Sequence, residues 1–168
     1  MNQAHLHLLF NHFPIIGAFI GVFTLITGFM LANSTIKRTA LGIFIFSALC
    51  AIPSFFTGGG AEIIVKEIQS VSRKRIHHHE EQAAVFMWVI CSLGVFSLIT
   101  LVIDKSGKGI RQAFYFICLI LGFASMIFGQ KAGTSGGEIR HSEITEGGIQ
   151  QGEMKLQETP IDSAQSGK

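Results

Sequence analysis

Gln82-Ala83-Ala84-Val85-Phe86-Met87-Trp88-Val89-Ile90-Cys91-Ser92-Leu93-Gly94-Val95-Phe96-Ser97-Leu98-Ile99-Thr100-Leu101-Val102-Ile103 runs for 22 residues without a charge. As an α-helix this stretch is about 33 Å long, enough to cross a hydrocarbon core of about 30 Å. Three other stretches meet or approach the same length: Pro14–Ala32, Thr39–Phe56 and Ile110–Gly129, the last carrying only Arg111 near its start. All four are continuously apolar instead of alternating, and a barrel of four strands could not close, so the spans are helices. The connections Asn33–Arg38 and Asp104–Gly109 are short and force successive helices to run antiparallel. The expected fold is all-α, an integral membrane four-helix bundle running up-down-up-down.

Composition agrees. The 168 residues are 48% hydrophobic and 14% charged, against about a quarter charged in a soluble protein. A net charge of +2 is too small for phosphate-backbone binding, so no nucleic-acid partner is expected; the partner implied is the lipid bilayer. Cys50, Cys91 and Cys118 fall in three different apolar segments without C-x-x-C spacing, and are read as small buried hydrophobes. No basic residue precedes the first apolar run and no cleavage pattern follows it, so that segment is expected to stay in the protein.

Residues 1–141 are read as the transmembrane domain and 142–168 as a flexible polar tail. The tail carries four Glu and one Asp against two Lys, a net charge of −3. Pro14 suits the first turn of its helix, whereas Pro53 should kink or end the second. Thr57-Gly58-Gly59-Gly60 should then release the chain from the membrane, with Ala61–Val71 an amphipathic segment on its surface. Small residues form stripes on three spans: Gly17, Gly21, Thr24 and Gly28; Ala83, Gly94 and Ser97; Gly122, Ser125 and Gly129. Such stripes let helix backbones approach closely, or leave a slot for a flat cofactor such as a porphyrin.

The topology places His5, His7, His12, His77, His78, His79 and His141 on one side of the membrane. Imidazole ligates metals and titrates near neutral pH, so this end could hold haem iron, bind copper or zinc, or relay protons; the alternative is a hydrated interface edge. Three consecutive histidines point about 100° apart, so not all can enter one site. His79 is the inward member, because Ala83 one turn later leads to Gly94 and Ser97, and His77 and His78 are left to solvent. Whether His12 or His7 faces inward depends on where the first helix starts, which the sequence leaves open.

Lys37 and Arg38 follow the first span and no Lys or Arg precedes it, which places both termini and the histidine face outside the cytoplasm. His79-Glu80-Glu81-Gln82-Ala83 begins like H-E-x-x-H but has Ala83 where the second ligand belongs. No Ser-His-Asp order, phosphate-cradling glycine loop or mid-span charge appears, so hydrolase and ion-transport readings are weak.

His7-Leu8-Leu9-Phe10-Asn11-His12-Phe13-Pro14 is similar to the opening H-P-x-x-x-H-F-P of an uncharacterised family of small bacterial four-span membrane proteins, a domain of unknown function. Thr57-Gly58, His79 at the start of the third span, and Gly136-Gly137-Glu138-Ile139-Arg140-His141, similar to a closing G-G-E-L-V-Y-x-H, extend the resemblance over residues 7–141. Leu8 stands where the family has Pro, and the segment between Glu138 and His141 is shorter. The resemblance implies a bacterial inner-membrane module, with redox association because some relatives adjoin Rieske-type or cytochrome c-type domains.

The functional expectation is therefore a b-type haem electron-transfer or redox-associated module, a carrier or subunit more than a stand-alone enzyme. His7, His12, His79 and His141 are the candidate cofactor ligands. His12 with His79 is the first axial pair, and His7 with His141 the second. The alternatives are a non-catalytic anchor that docks redox protein partners, and a copper or zinc site using His79 with Glu80 or Glu81.

Overall fold

A computed structural model describes residues 3–66, 73–103 and 108–140. They form α1 (Gln3–Phe10), α2 (His12–Met30), α3 (Ser34–Lys66), α4 (Arg73–Val102) and α5 (Lys108–Arg140), with no strand among the described residues. Among the described residues, four helices are long and apolar enough to cross a membrane: His5–Met30, Ser34–Gly59, Arg73–Val102 and Gly109–Ile139. The chain is a multi-pass membrane protein. α2 packs on α3, α3 on α4, α4 on α5 and α5 back on α2, which closes the up-down-up-down bundle.

The outside of this bundle is apolar, with Phe23, Leu49, Trp88, Val95 and Ile120 all exposed and Trp88 at 71%. The inside is tight. A Cβ added at Gly17 would strike the Ser47 side chain, and one at Gly21 the Phe44 ring. At Gly94 it would lie 2.5 Å from Ala48 Cβ, and at Gly122 2.7 Å from Val22 Cγ2 and 3.3 Å from Phe44 Cζ. The fully buried Phe44 thus fills the hollows left by glycines on two other helices. The small stripes serve packing, and the slots they could have left for a flat cofactor are occupied by protein side chains.

Hydroxyls inside the spans bond to their own helix. Ser47 Oγ donates to Ile43 O at 2.8 Å and Ser125 Oγ to Leu121 O at 2.8 Å. Thr100 donates to Phe96 O at 2.6 Å and lies 3.4 Å from Cys118 Sγ, so the buried thiol joins α4 to α5 without a disulfide. In lipid, where no water competes, such pairs satisfy groups that would otherwise be orphaned.

Helix lengths depart from expectation at the histidine side. Pro53 lies inside α3, which continues through Gly58-Gly59-Gly60 to Lys66 instead of ending. Proline removes one backbone bond there, while Thr57 Oγ1 donates to Pro53 O at 2.7 Å and α1 packs along this part of the structure against α3. Tertiary cover outweighs the helix cost of glycine, about 1 kcal/mol per residue. Residues 61–66 are accordingly the end of α3, and 67–71 of the expected surface segment lie outside the described residues. α4 starts at Arg73, taking His77–His79 into the helix, and α5 runs on to Arg140. The expected tail, 142–168, lies outside the described residues, as does His141. With 33 residues each, α3 and α5 are about 50 Å long and overrun the hydrocarbon core by several turns.

At the other side the connection is shorter than expected, only Leu31–Asn33. Ala32 takes a positive φ of 50°, Asn33 N donates to Gly28 O at 3.0 Å, and Asn33 Oδ1 accepts from Thr35 N at 2.9 Å and Ile36 N at 3.2 Å. The turn ends α2 and caps α3 at once. Lys37 then lies with its Nζ 5.0 Å from the Phe29 ring centroid and 5.6 Å from that of Tyr115.

Candidate functional site: the histidine end

The site begins with a break. Pro14 has no N–H for the Phe10 carbonyl one turn earlier and its ring crowds it, so the first span divides into α1 and α2 at Asn11. The break redirects α1. It packs against α3 and makes no comparable packing against α5, although α2 does. His7 is carried over α3, where its Nδ1 lies 2.8 Å from Ser54 O and its ring rests beside Gly58, Cε1 being 3.6 Å from a Cβ built there.

On the facing side, the buried stripe of α4 (Ile76, Phe86, Ile90, Leu93, Gly94, Ser97) brings His79 inward at its outer end. His79 Nδ1 is 3.0 Å from Ser135 Oγ on α5, and its ring lies over Gly136, with Cε1 3.1 Å from a Cβ built there. His7 is within electrostatic reach of His79. Each imidazole is therefore seated on a glycine of another helix, and the two seats face a common end of the bundle.

Hydrogen-bond valence sets the tautomers. Ser54 O is a carbonyl and can only accept, so His7 Nδ1 carries the proton. Ser135 Oγ has one proton, which it donates to Ala132 O at 3.0 Å, and so it accepts from His79 Nδ1–H. In the neutral form of either ring Nε2 is then left with its lone pair. An imidazole whose Nδ1–H is held by a second group is oriented for ligation through Nε2.

The other described histidines lie on outward faces. His77 has a side chain 74% exposed, with Nδ1 3.8 Å from Glu80 and Nε2 3.4 Å from Glu81. Those carboxylates thus attend His77 and do not turn to His79. His5, His12 and His78 are exposed, and His141 is not among the described residues. No group of three or more His, Cys, Asp or Glu gathers as a metal site among the described residues. Of the four ligands expected from sequence, His7 lies within electrostatic reach of His79, His12 is at the surface, and His141 is outside the described residues.

Sequence reasoning missed Ser54, Ser135 and Asn11. Asn11 Oδ1 is buried and has no hydrogen-bond partner, one turn from His7, whose carbonyl accepts from Asn11 N at 2.9 Å. The x-x-x-Pro14 spacing after Phe10 was the available signal for the break; nothing in the sequence marks the two serines. No family model, curated protein or solved structure matches the chain.

Proposed function

We propose that this membrane protein is a redox-associated module whose histidine end holds the iron of a b-type haem between His7 and His79. The observation that carries this reading is the pair of imidazoles on different helices, each held through Nδ1 so that its neutral form presents Nε2. Two opposed imidazoles are the ligand set such an iron takes, and a bound haem supplies a one-electron couple. The chain's own residues do the rest. Ser54 O and Ser135 Oγ hold the rings in the ligating tautomer, Gly58 and Gly136 let them lie close to the helix backbones, and the break at Asn11 leans α1 away from α5. His7 is preferred to His12 as the partner of His79 because His12 is exposed.

Kinship with the uncharacterised four-span family belongs to the same proposal. Its separate motifs meet in pairs, His7 beside Gly58 and His79 beside Gly136. Placement in a bacterial inner membrane, with both termini outside the cytoplasm, follows from that kinship and from Lys37 and Arg38.

The test is visible spectroscopy of the protein purified in mild detergent, oxidised and reduced, with metal analysis on the same sample. A Soret and α band lost in His7→Ala and His79→Ala but kept in His12→Ala and His77→Ala, at unchanged helical content, is the expected result. A second reading, a non-catalytic anchor docking redox partners, is favoured by the filled small-residue stripes. Folded wild type with neither haem nor metal would select it, and zinc or copper alone would select a metal site.

A further inference from the structure

One outer face of α5 changes character along its length. Phe116, Ile120, Phe123 and Ile127 are exposed at spacings of three and four residues, and the same face continues as Gln130, Lys131, Thr134 and Glu138. On α4 the exposed Val85 and Trp88 give way to Gln82 and His78. The switch from apolar to polar marks the level where acyl chains end and headgroups begin. At that level an open groove lies between the two helices, lined by His78, Gln82, Ile127, Lys131, Thr134 and Glu138 among others.

The groove joins an apolar track to an ordered pair of charges. Lys131 stands one turn beyond Ile127, and Glu138 about 10 Å further along the helix, away from the membrane. Moving outward along α5, the wall is apolar, then cationic at Lys131, then anionic at Glu138, with the Arg75 guanidinium of α4 at the Glu138 backbone. Lys131 Nζ leans over the Phe128 ring at 5.6 Å, which keeps it on this side of α5. At the outer end Arg75 donates to Glu138 O at 3.4 Å and ties α4 to the last turns of α5. Thr134 adds a neutral hydroxyl between the charges, with Gln130 beside Lys131 and Gln82 on the α4 wall.

We propose that this groove is a headgroup site for a phospholipid bearing a primary ammonium, such as phosphatidylethanolamine. Such a lipid presents acyl chain, phosphate and ammonium in the order that Ile127, Lys131 and Glu138 complement. A glycerol headgroup offers the phosphate alone and leaves Glu138 without an opposite charge on the ligand. The assignment uses neither His7 nor His79 and stands independently of any cofactor between them.

The test is native mass spectrometry of the full chain in detergent with equal amounts of phosphatidylethanolamine and phosphatidylglycerol. Wild type should retain one phosphatidylethanolamine several-fold over phosphatidylglycerol. Glu138→Gln should remove the preference, Lys131→Gln should lower retention of both lipids, and His77→Ala should behave as wild type, all at matched helical content by circular dichroism. Equal retention of the two lipids by wild type, or a preference that survives Glu138→Gln, would overturn the proposal. If either groove variant fails to fold, Thr134→Ala replaces it, and wild-type retention by the folded Thr134→Ala counts against the groove.

Discussion

The middle of the bundle and its histidine end use the same residue, glycine, for opposite purposes. In the middle, Gly21, Gly94 and Gly122 are each filled from a neighbouring helix by Phe44, Ala48 or Val22. At the histidine end, Gly58 and Gly136 lie under imidazole rings, while Gly59 and Gly137 meet nothing within 4 Å. The middle is closed and has its hydroxyls bonded to its own backbone; the end is open and leaves Asn11 Oδ1 without a partner. A membrane bundle gains stability by close packing, and this one keeps its open space where its helices have outrun the lipid.

The comparison breaks most sharply at Gly21. Gly21→Leu should drive a side chain into the Phe44 ring and destabilise the bundle by about 1–3 kcal/mol or more, read as a lower thermal midpoint in detergent. Gly59→Leu, equally far from glycine in size, should leave that midpoint almost unchanged; similar losses at both positions would erase the distinction between regions.

Ser135→Ala sharpens the other half. It removes the Ser135 acceptor for His79 Nδ1–H while leaving packing nearly intact, so if the proposed haem is bound its affinity should fall by about tenfold or more with little change in unfolding. Unchanged haem retention in titrations of the folded variant would show that His79 needs no such support. The smallest effect is expected at Gly137→Ala, a helical position with open space, where stability should rise by up to about 1 kcal/mol. A loss there would mean that the end of α5 is packed more tightly than its surroundings imply.

The spans were legible because a charge-free run of 22 residues has few other fates in a folded chain. Their overrun was not. Thr57-Gly58-Gly59-Gly60 and Gly133-Thr134-Ser135-Gly136-Gly137 have the local composition of turns, yet they are helical, with α1 packed on α3 and His79 lying on α5. His79 could be chosen from its trio because the period of 3.6 carries from Ala83 to Ser97. The place of His7 depended on the break at Asn11, and its bond to a main-chain carbonyl leaves no trace in side-chain identities. Val22 lies off the glycine stripe of its helix, yet it is buried because Gly122 of α5 receives it.

The Leu31–Asn33 turn has a consequence in time. Closing so short a loop costs little chain entropy, and Asn33 starts α3 as α2 ends. α2 and α3 can therefore pair as a hairpin while later segments are still being made, bringing Gly21 onto Phe44 before α5 exists to offer Gly122. α5 then docks onto a surface already shaped for it, and the His79 seat on Gly136 is completed only once α5 has been made, so synthesis order delays the site until the bundle beneath it has formed.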